Sequence, residues 1–340
     1  MTPQNLKVYF YPDVTPIERA PFEAIISALR EKIEVSVVEV NDNHVGVLKR
    51  VRDTQVWIIA RRWRKAFHFL GGNKFSRGNM FISVLDLDSP RQTIYHVLAK
   101  KVFGSLPRNC TLLVHSPINY RFFGEMERLG ENQLRFLPLP VVAALHPKRV
   151  KGTDEPFTIG TFTPFSSEAQ LNFIASVAHY LLLKNSTIYF RVLGYGPLYR
   201  HMIELGTELE LGNRFSVTEA FDEGPISELD AFIYCPLRND HFIPLYVSGQ
   251  YALPTVATEM AGIDEFIQDG KTGFMVGVNE TKAMAELLLR IASSTAVTQQ
   301  MGKKFQEQLF SQYSLRSVFS TFLETLTGQR TQPGAMERAA

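Results

Sequence analysis

Only two cysteines, Cys110 and Cys235, occur in 340 residues, and both fall in apolar strand-like contexts, NCTLLV and AFIYCP. That scarcity speaks against a disulfide framework and for two small buried thiols in a reducing compartment. Long apolar runs are also missing: nothing approaches the roughly 18 residues that a membrane span requires. The first thirty residues lack a basic segment followed by an apolar core and a small-residue cleavage site, so the chain is expected to be cytoplasmic. An excess of one charge is absent as well. Thirty-six Lys and Arg against 34 Asp and Glu leave a formal +2, which gives no global field for nucleic acid, and nucleic acid is not an expected partner. Any electropositive site must then be local. No Cys and His cluster has ligand spacing, so no metal site is expected. No G-x-S-x-G turn is present, so a nucleophilic triad has no support.

What is present is a long, apolar-rich chain, 45% hydrophobic, too large for one core of ordinary size. Short β-rich runs alternate with helical patterns: LKVYFY at 6–11, IEVSVVEV at 33–40, QVWIIA at 55–60, MFISVLDL at 80–87 and TLLVHS at 111–116. After LRFLPLPV at 134–141, the polar stretch His146 to Pro156 has the composition of a linker. The alternation then restarts with FTIGTF at 157–162, a helix from about Glu168 to Leu183, TIYFRVLG at 187–194 and a helix from Pro197. It continues through RFSV, DAFIYCP, a helix over Tyr246 to Ala252, PTVAT and a closing helix at about 281–293. This pattern predicts an α/β chain of two doubly wound parallel-sheet domains, 1–150 and 151–326, with a disordered tail at 327–340.

Local signals place several polar residues. Phe22, Ile25, Ile26 and Leu29 share one helical face. Two start signals compete for that helix, Thr15-Pro16-Ile17-Glu18 and Pro21, and both cannot begin the same straight helix. Ser89-Pro90-Arg91-Gln92 is a cleaner start and puts Asp86 and Asp88 on a strand-to-helix loop, where open parallel sheets bind ligands. Ser167 and Gln170 form a second expected capping box. Gly194-Tyr195-Gly196-Pro197 joins a strand to a helix, so its glycines would let backbone approach a ligand and its helix start would suit a phosphate. In Arg61 to Leu70, a helical reading gathers Arg61, Arg64, Lys65 and His68 opposite Trp63, Ala66, Phe67 and Leu70. Such a basic face could grip a phosphorylated acceptor or make peripheral contact with an anionic inner membrane surface.

The order of the later segments resembles a known family. FTIGTFTPFSS, then VLGYGP, then DAFIYCPLRNDHFIPLYVSGQYALPTVATEMAGIDEFIQDGKTGFMV is similar to the C-terminal half of GT-B glycosyltransferases, above all the retaining glycosyltransferase family 4. The resemblance implies two Rossmann-like domains facing across a cleft, with a nucleotide-sugar (UDP- or GDP-linked) as co-substrate and no other cofactor. It implies a glycan or lipid-linked acceptor, in polysaccharide or glycoconjugate assembly. Donor contacts that the resemblance implies fall at Gly160, Thr161, Ser166, Gly194, Tyr195, Gly196, Phe242, Ile243 and Glu265, with Arg238 and His241 beside the expected sugar site. Asp88 or Asp86 would face the acceptor, and the basic residues Arg61, Arg64 and His68 are acceptor candidates from their shared helical face.

The resemblance also locates departures. The family's first glutamate, against the donor sugar hydroxyls, aligns with Asn239 without a gap or with Asp240 with one. Its second, eight residues on, aligns with Val247 or Ser248, so that carboxylate is missing. The arginine and lysine that grip the diphosphate align with Thr161 and Ser166. Losing one fixed donor to a developing charge typically costs on the order of 3 kcal/mol, so substitutes are expected: Arg238 as the candidate cation, the N–H groups of the helix start at Ser166 and Ser167, and His241 or Lys271. The alternative is a degenerate transferase retained as a binding or scaffolding subunit.

Overall fold

The computed structural model describes residues 5–40, 55–62, 79–86, 106, 109–116, 120, 124, 133–142, 152, 155–221, 224–236, 242–260 and 262–327. The chain divides into two compact units. Met1–Val14, Glu18–Pro140 and Tyr313–Ala340 form unit 1, and Thr15–Ile17 with Val141–Gln312 form unit 2. The sequence division at 150/151 differs from this one, and the last described helix belongs to the first unit rather than the second.

Unit 1 holds a six-stranded parallel sheet built from β1 (Asn5–Phe10), β2 (Glu34–Glu39), β3 (Gln55–Arg62), β4 (Met80–Asp86), β5 (Cys110–Val114) and β6 (Leu134–Phe136). Their order is β2-β1-β3-β4-β5-β6, with every neighbouring pair parallel. Between β1 and β2 runs helix α1 (Pro16–Arg30). Its four expected core residues, Phe22, Ile25, Ile26 and Leu29, are all buried. The competing start signals resolve in favour of Pro16, and Pro21 sits inside the helix. An internal proline removes one backbone hydrogen bond and costs about 3 kcal/mol. Burial of the four apolar side chains, each contributing roughly 1.5–3 kcal/mol, exceeds that cost.

Unit 2 repeats the architecture with β7 (Phe157–Pro164), β8 (Ile188–Tyr195), β9 (Phe215–Glu219), β10 (Ala231–Tyr234), β11 (Thr255–Thr258) and β12 (Phe274–Val276). The order is β12-β11-β10-β7-β8-β9, again parallel throughout. Helices α2 (Glu168–Lys184), α3 (Tyr199–Glu208), α4 (Ile243–Gln250), α5 (Thr281–Ser293) and α6 (Thr295–Tyr313) cover it. The core is continuous through α2, the sheet and α5, from Leu171 and Ile174 to Phe190, Ile233, Val256 and Leu288. Helix α4 is buried along its whole length, which suits its apolar sequence IPLYVSGQ. Cys110 and Cys235 are free and buried, and burial pushes the Cys110 thiol up to about 12, so both behave as small core residues.

Four sequence expectations are corrected. Arg61 and Arg62 end strand β3 rather than opening a helix, because the β-branched run QVWIIA pairs with β1 and β4 up to this point; Arg64 and His68 lie outside the described residues. Asp86 is the last residue of β4, paired with Arg62 across the sheet, and Asp88 lies outside the described residues. The capping box at Ser167 does not close. Ser167 is the N-cap but makes no side-chain cap bond, while Gln170 turns inward and donates to the Cys235 carbonyl at 3.0 Å. Finally, 281–293 is not the closing helix: α6 follows, and then α7 (Leu315–Thr327). Of the expected tail, 328–340 lies outside the described residues.

Helix α7 contributes to the core of unit 1. Val318, Phe322 and Leu326 form its buried stripe, and the Phe322 ring lies 6.0 Å from Trp57 and 6.3 Å from His115, stacked on the latter. Trp57 is itself buried, with its indole N–H donating to Ser83 Oγ at 2.9 Å. Phe322→Ala is therefore expected to destabilise unit 1 by about 3–5 kcal/mol, read as a lower urea midpoint in unfolding followed by tryptophan fluorescence.

Candidate functional site

In a doubly wound parallel sheet every strand ends on the same edge, and the crevice opens where the strand order reverses. In unit 2 that reversal lies between β7 and β10. Only a small void of about 10 Å³, room for one water, is found there, lined by the last residues of β7, the first turn of α2, the end of β10 and the first turn of α4. Thr161, Thr163, Gln170, Tyr234, Cys235 and Pro244 carry its chemistry. The hydrogen bonds around it are selective. The Thr161 hydroxyl donates to the Ile233 carbonyl at 2.9 Å and Gln170 to that of Cys235, both tying β7 and α2 to β10. Thr163 is 3% exposed, yet its hydroxyl has no hydrogen-bond partner among the described residues.

The expected donor residues separate into those at this edge and those that are not. Phe242 caps α4 and Ile243 opens it, both buried, and the Phe242 ring packs 4.6 Å from Phe266. Tyr195 ends β8 with its ring 5.5 Å from Phe221, a side chain 45% exposed. Ser166 is exposed in the loop between β7 and α2. Gly160, by contrast, lies in the middle of β7, paired with Arg191 and Phe232. A Cβ there would meet the Leu229 side chain at 2.7 Å, so its small size serves core packing. Glu265 is exposed on the turn between β11 and β12, where its backbone carbonyl accepts from Gln308. Asn239, Asp240, Arg238 and His241 lie outside the described residues.

The glycine pair has a structural cause that differs from the expected one. Gly194 and Gly196 have φ of 155° and 141°, and Cβ atoms there would lie 1.8 Å from the Thr163 carbonyl oxygen and 2.6 Å from that of Phe165. What their backbone approaches is the β7–α2 loop. Phe165 N–H donates to Tyr195 at 2.7 Å and Leu198 N–H to Phe165 at 2.9 Å. The GYG turn thus holds the loop that begins with Thr163 and Pro164. The DGKTG segment is likewise a self-closed turn. Asp269 Oδ1 accepts from Met275 N–H at 2.9 Å, Thr272 Oγ1 accepts from Gln268 N–H at 2.8 Å, and Lys271 is left exposed. At the two positions aligned with the missing second glutamate, Val247 is buried and Ser248 is fully buried, its hydroxyl donating to the Leu245 carbonyl at 2.8 Å. Neither offers a side chain to a ligand.

In unit 1 the carboxyl edge carries a residue that the motif reading passed over. His115 directly follows β5 and is buried against Phe22, whose ring is 5.3 Å away, and Phe322. Its Nδ1 lies 2.7 Å from the Leu137 carbonyl. A carbonyl only accepts, so Nδ1 carries the proton and Nε2 is a bare lone pair. That Nε2 is buried with no partner among the described residues. A polar residue closing an apolar strand run, TLLVHS, was the signal available in the sequence.

Burial lowers the His115 pKa to about 4 from an ordinary 6.5, with the Leu137 carbonyl opposing in part. Folding thus favours the neutral ring. This contribution to stability is complete above pH 6.5 and is lost as pH falls toward 4, by about 3 kcal/mol in total. A His115→Asn variant is expected to be less stable at neutral pH but to lack this component. Urea unfolding of both proteins at pH 7.5, 6.5 and 5.5 should show the difference between them shrinking as pH falls.

Comparison with known proteins bears on unit 2 most directly. The family model described as "Glycosyl transferases group 1" matches residues 156–294. N-acetyl-alpha-D-glucosaminyl L-malate synthase of Bacillus anthracis is 22% identical over 135 residues, 38% of this chain and 35% of that protein. Among solved structures, Anabaena HepE with UDP and glucose superposes with a TM-score of 0.74 at 13% identity, over 95% of this chain and all of that one. An S. aureus TarM variant with fondaparinux, alpha-GlcNAc-glycerol and UDP gives 0.70 at 12% identity, over 84% of this chain. The chain spans 57% of TarM's length and its match about a third of the malate synthase. Together these show the GT-B fold and a group 1 glycosyl transferase domain at 156–294. Among the described residues, no helix is long and apolar enough to cross a membrane.

Proposed function

From a GT-B fold whose second unit carries a group 1 glycosyl transferase domain, we infer that this protein transfers a sugar from a nucleotide donor to a glycan or lipid-linked acceptor with retention of configuration. One observation carries the inference. The strand-order reversal of unit 2 falls within the residues that match the family, and an open α/β sheet holds its ligand at such a reversal. The donor is a UDP- or GDP-linked sugar. Relatives crystallised with UDP, and HepE with UDP-glucose, make UDP the first to try.

In this reading the nucleotide's diphosphate meets the ends of β7 and β8 and the starts of α2 and α4. Asp240 or Asn239 takes the donor sugar hydroxyls, as the resemblance implies, and Arg238 supplies a cation nearby. The leaving diphosphate, rather than a side-chain carboxylate, takes the acceptor proton from the same face. That route asks little of the positions at Val247 and Ser248, both buried. It asks much of the groups that stabilise the diphosphate as charge develops, because such fixed donors are commonly the largest catalytic contribution.

The test is thermal stabilisation by UDP, GDP and a panel of their sugars. A ligand at a hundred times its Kd stabilises the native state by about 2.7 kcal/mol, a clear rise in melting temperature. One nucleotide-sugar is expected to give that rise and then to be slowly hydrolysed, releasing the α-configured sugar from an α-linked donor. No shift with any of them would favour a scaffolding subunit. Arg238→Ala should lower turnover about a hundredfold if Arg238 replaces one missing donor, measured with the donor so identified.

A further inference from the structure

An edge strand leaves a row of backbone N–H and C=O groups open to pairing, and proteins usually blunt such edges with charge, proline or shortness. At the ends of the two sheets, β6 and β12 have three residues each, and β2 begins and ends with glutamate. Strand β9 is different. It has five residues, FSVTE, with no proline or lysine, and pairs only with β8 among the described residues. Ala220 N–H donates to Gly194 at the end of β8 at 2.8 Å. Backbone direction alternates along a strand, so Ser216 and Thr218 also turn toward β8, while Phe215, Val217 and Glu219 present their N–H and C=O groups at the free edge.

Beside that edge the molecule keeps apolar surface open. Phe215 and Val217 pack in part on the core, yet α3 does not close over them. A groove of about 630 Å³ runs between α3 and β9, lined by Ile203, Gly206, Phe215 and Val217, with Glu210 at one end. Ile203 is 43% exposed although it is a large aliphatic residue. On α3 the stripe through Arg200, Ile203 and Thr207 faces the same way, by helical spacing, and Arg200 and Glu210 are both exposed.

The pattern is complementary to itself. If a second β9 pairs antiparallel about Ser216, Phe215 falls opposite Val217 of the second copy and Val217 opposite its Phe215. These are the residues whose backbone groups face the free edge, so both pairs are hydrogen-bonded, and aromatic with β-branched is a favourable cross-strand pairing. On the other face Ser216 meets Ser216 and Arg214 meets Thr218. A shift that centres the pairing on Val217 would instead set Phe215 against Glu219. The same two-fold axis reverses α3 against its copy. Ile203 then faces Thr207, and Arg200 at one end of the stripe faces Glu210 at the other, which joins opposite charges twice.

We propose that the β9 edge and the α3 groove are a docking surface for a second copy of this chain, forming a two-fold dimer whose unit 2 sheets continue into one another through antiparallel β9 strands centred on Ser216. The two grooves merge into one apolar seam of Ile203, Phe215 and Val217 from each copy, closed at its ends by Arg200 and Glu210. The partner is fixed by the surface itself: an isologous contact requires each residue to meet its complement on the same patch.

The experiment measures the mass of the full chain by sedimentation velocity over a concentration series, with far-ultraviolet circular dichroism to check each variant's fold. The parent is expected to reach twice the mass of one chain. Ile203→Lys should raise the dimer dissociation constant about tenfold or more without altering the dichroism, because Ile203 is already exposed in the single chain. Arg200→Glu should weaken the dimer, and Arg200→Glu combined with Glu210→Arg should restore it. The register has its own readout. A non-hydrogen-bonded antiparallel pair brings Cα atoms within disulfide reach, so oxidised Ser216→Cys should cross-link two chains while Thr218→Cys, set against Arg214, should not; Cys110 and Cys235 are buried. A parent that stays monomeric at every concentration overturns the proposal. A dimer that Ile203→Lys leaves at full strength overturns it too, by placing the contact on another face, and cross-linking through Thr218→Cys in place of Ser216→Cys overturns the register.

Discussion

Parallel pairing is the constraint on which the rest of this molecule depends. Neighbouring parallel strands cannot be joined by a hairpin, so each connection must cross back over a face of the sheet, and every strand then delivers its last residue to one edge. In unit 2 that rule brings the ends of β7, β8 and β10 and the starts of α2 and α4 to the same place, although they are far apart in sequence. The reversal of strand order between β7 and β10 leaves a gap there because the helices after these strands leave on opposite sides. Thr163, Gln170, Cys235 and Pro244 meet for no other reason.

Hydrogen-bond accounting then separates framework from site. Thr161 and Gln170 look like ligand-binding groups in the sequence, and in the fold they fasten β7 and α2 to the carbonyls of β10. Gly194 and Gly196 look like a nucleotide turn, and in the fold they allow two loop backbones to meet. These residues stabilise the rim.

Unit 1 shows the same logic with an imidazole. The Leu137 carbonyl selects the tautomer of His115, and burial between Phe22 and Phe322 keeps the ring uncharged. Phe322 arrives from the far end of the chain, on α7, so the environment of a residue in the first half depends on the last described helix.

The sequence alone determined every described strand but β12, most of the described helices and the two-unit α/β plan, because alternating apolar runs and helical faces are properties of local segments. QVWIIA, FTIGTF and the Phe22 to Leu29 face are legible at that range. Through resemblance it also pointed to the edge of unit 2 at which a ligand is expected. Only the tertiary structure decided that Arg61 and Arg62 continue a strand, that Pro21 is tolerated within α1, that α7 returns to unit 1 and that Gly160 serves the core. It alone decided which polar atoms are already paired and which, like the Thr163 hydroxyl and His115 Nε2, have no partner among the described residues. Pairing and burial are set by neighbours distant in sequence, so no window along the chain contains them.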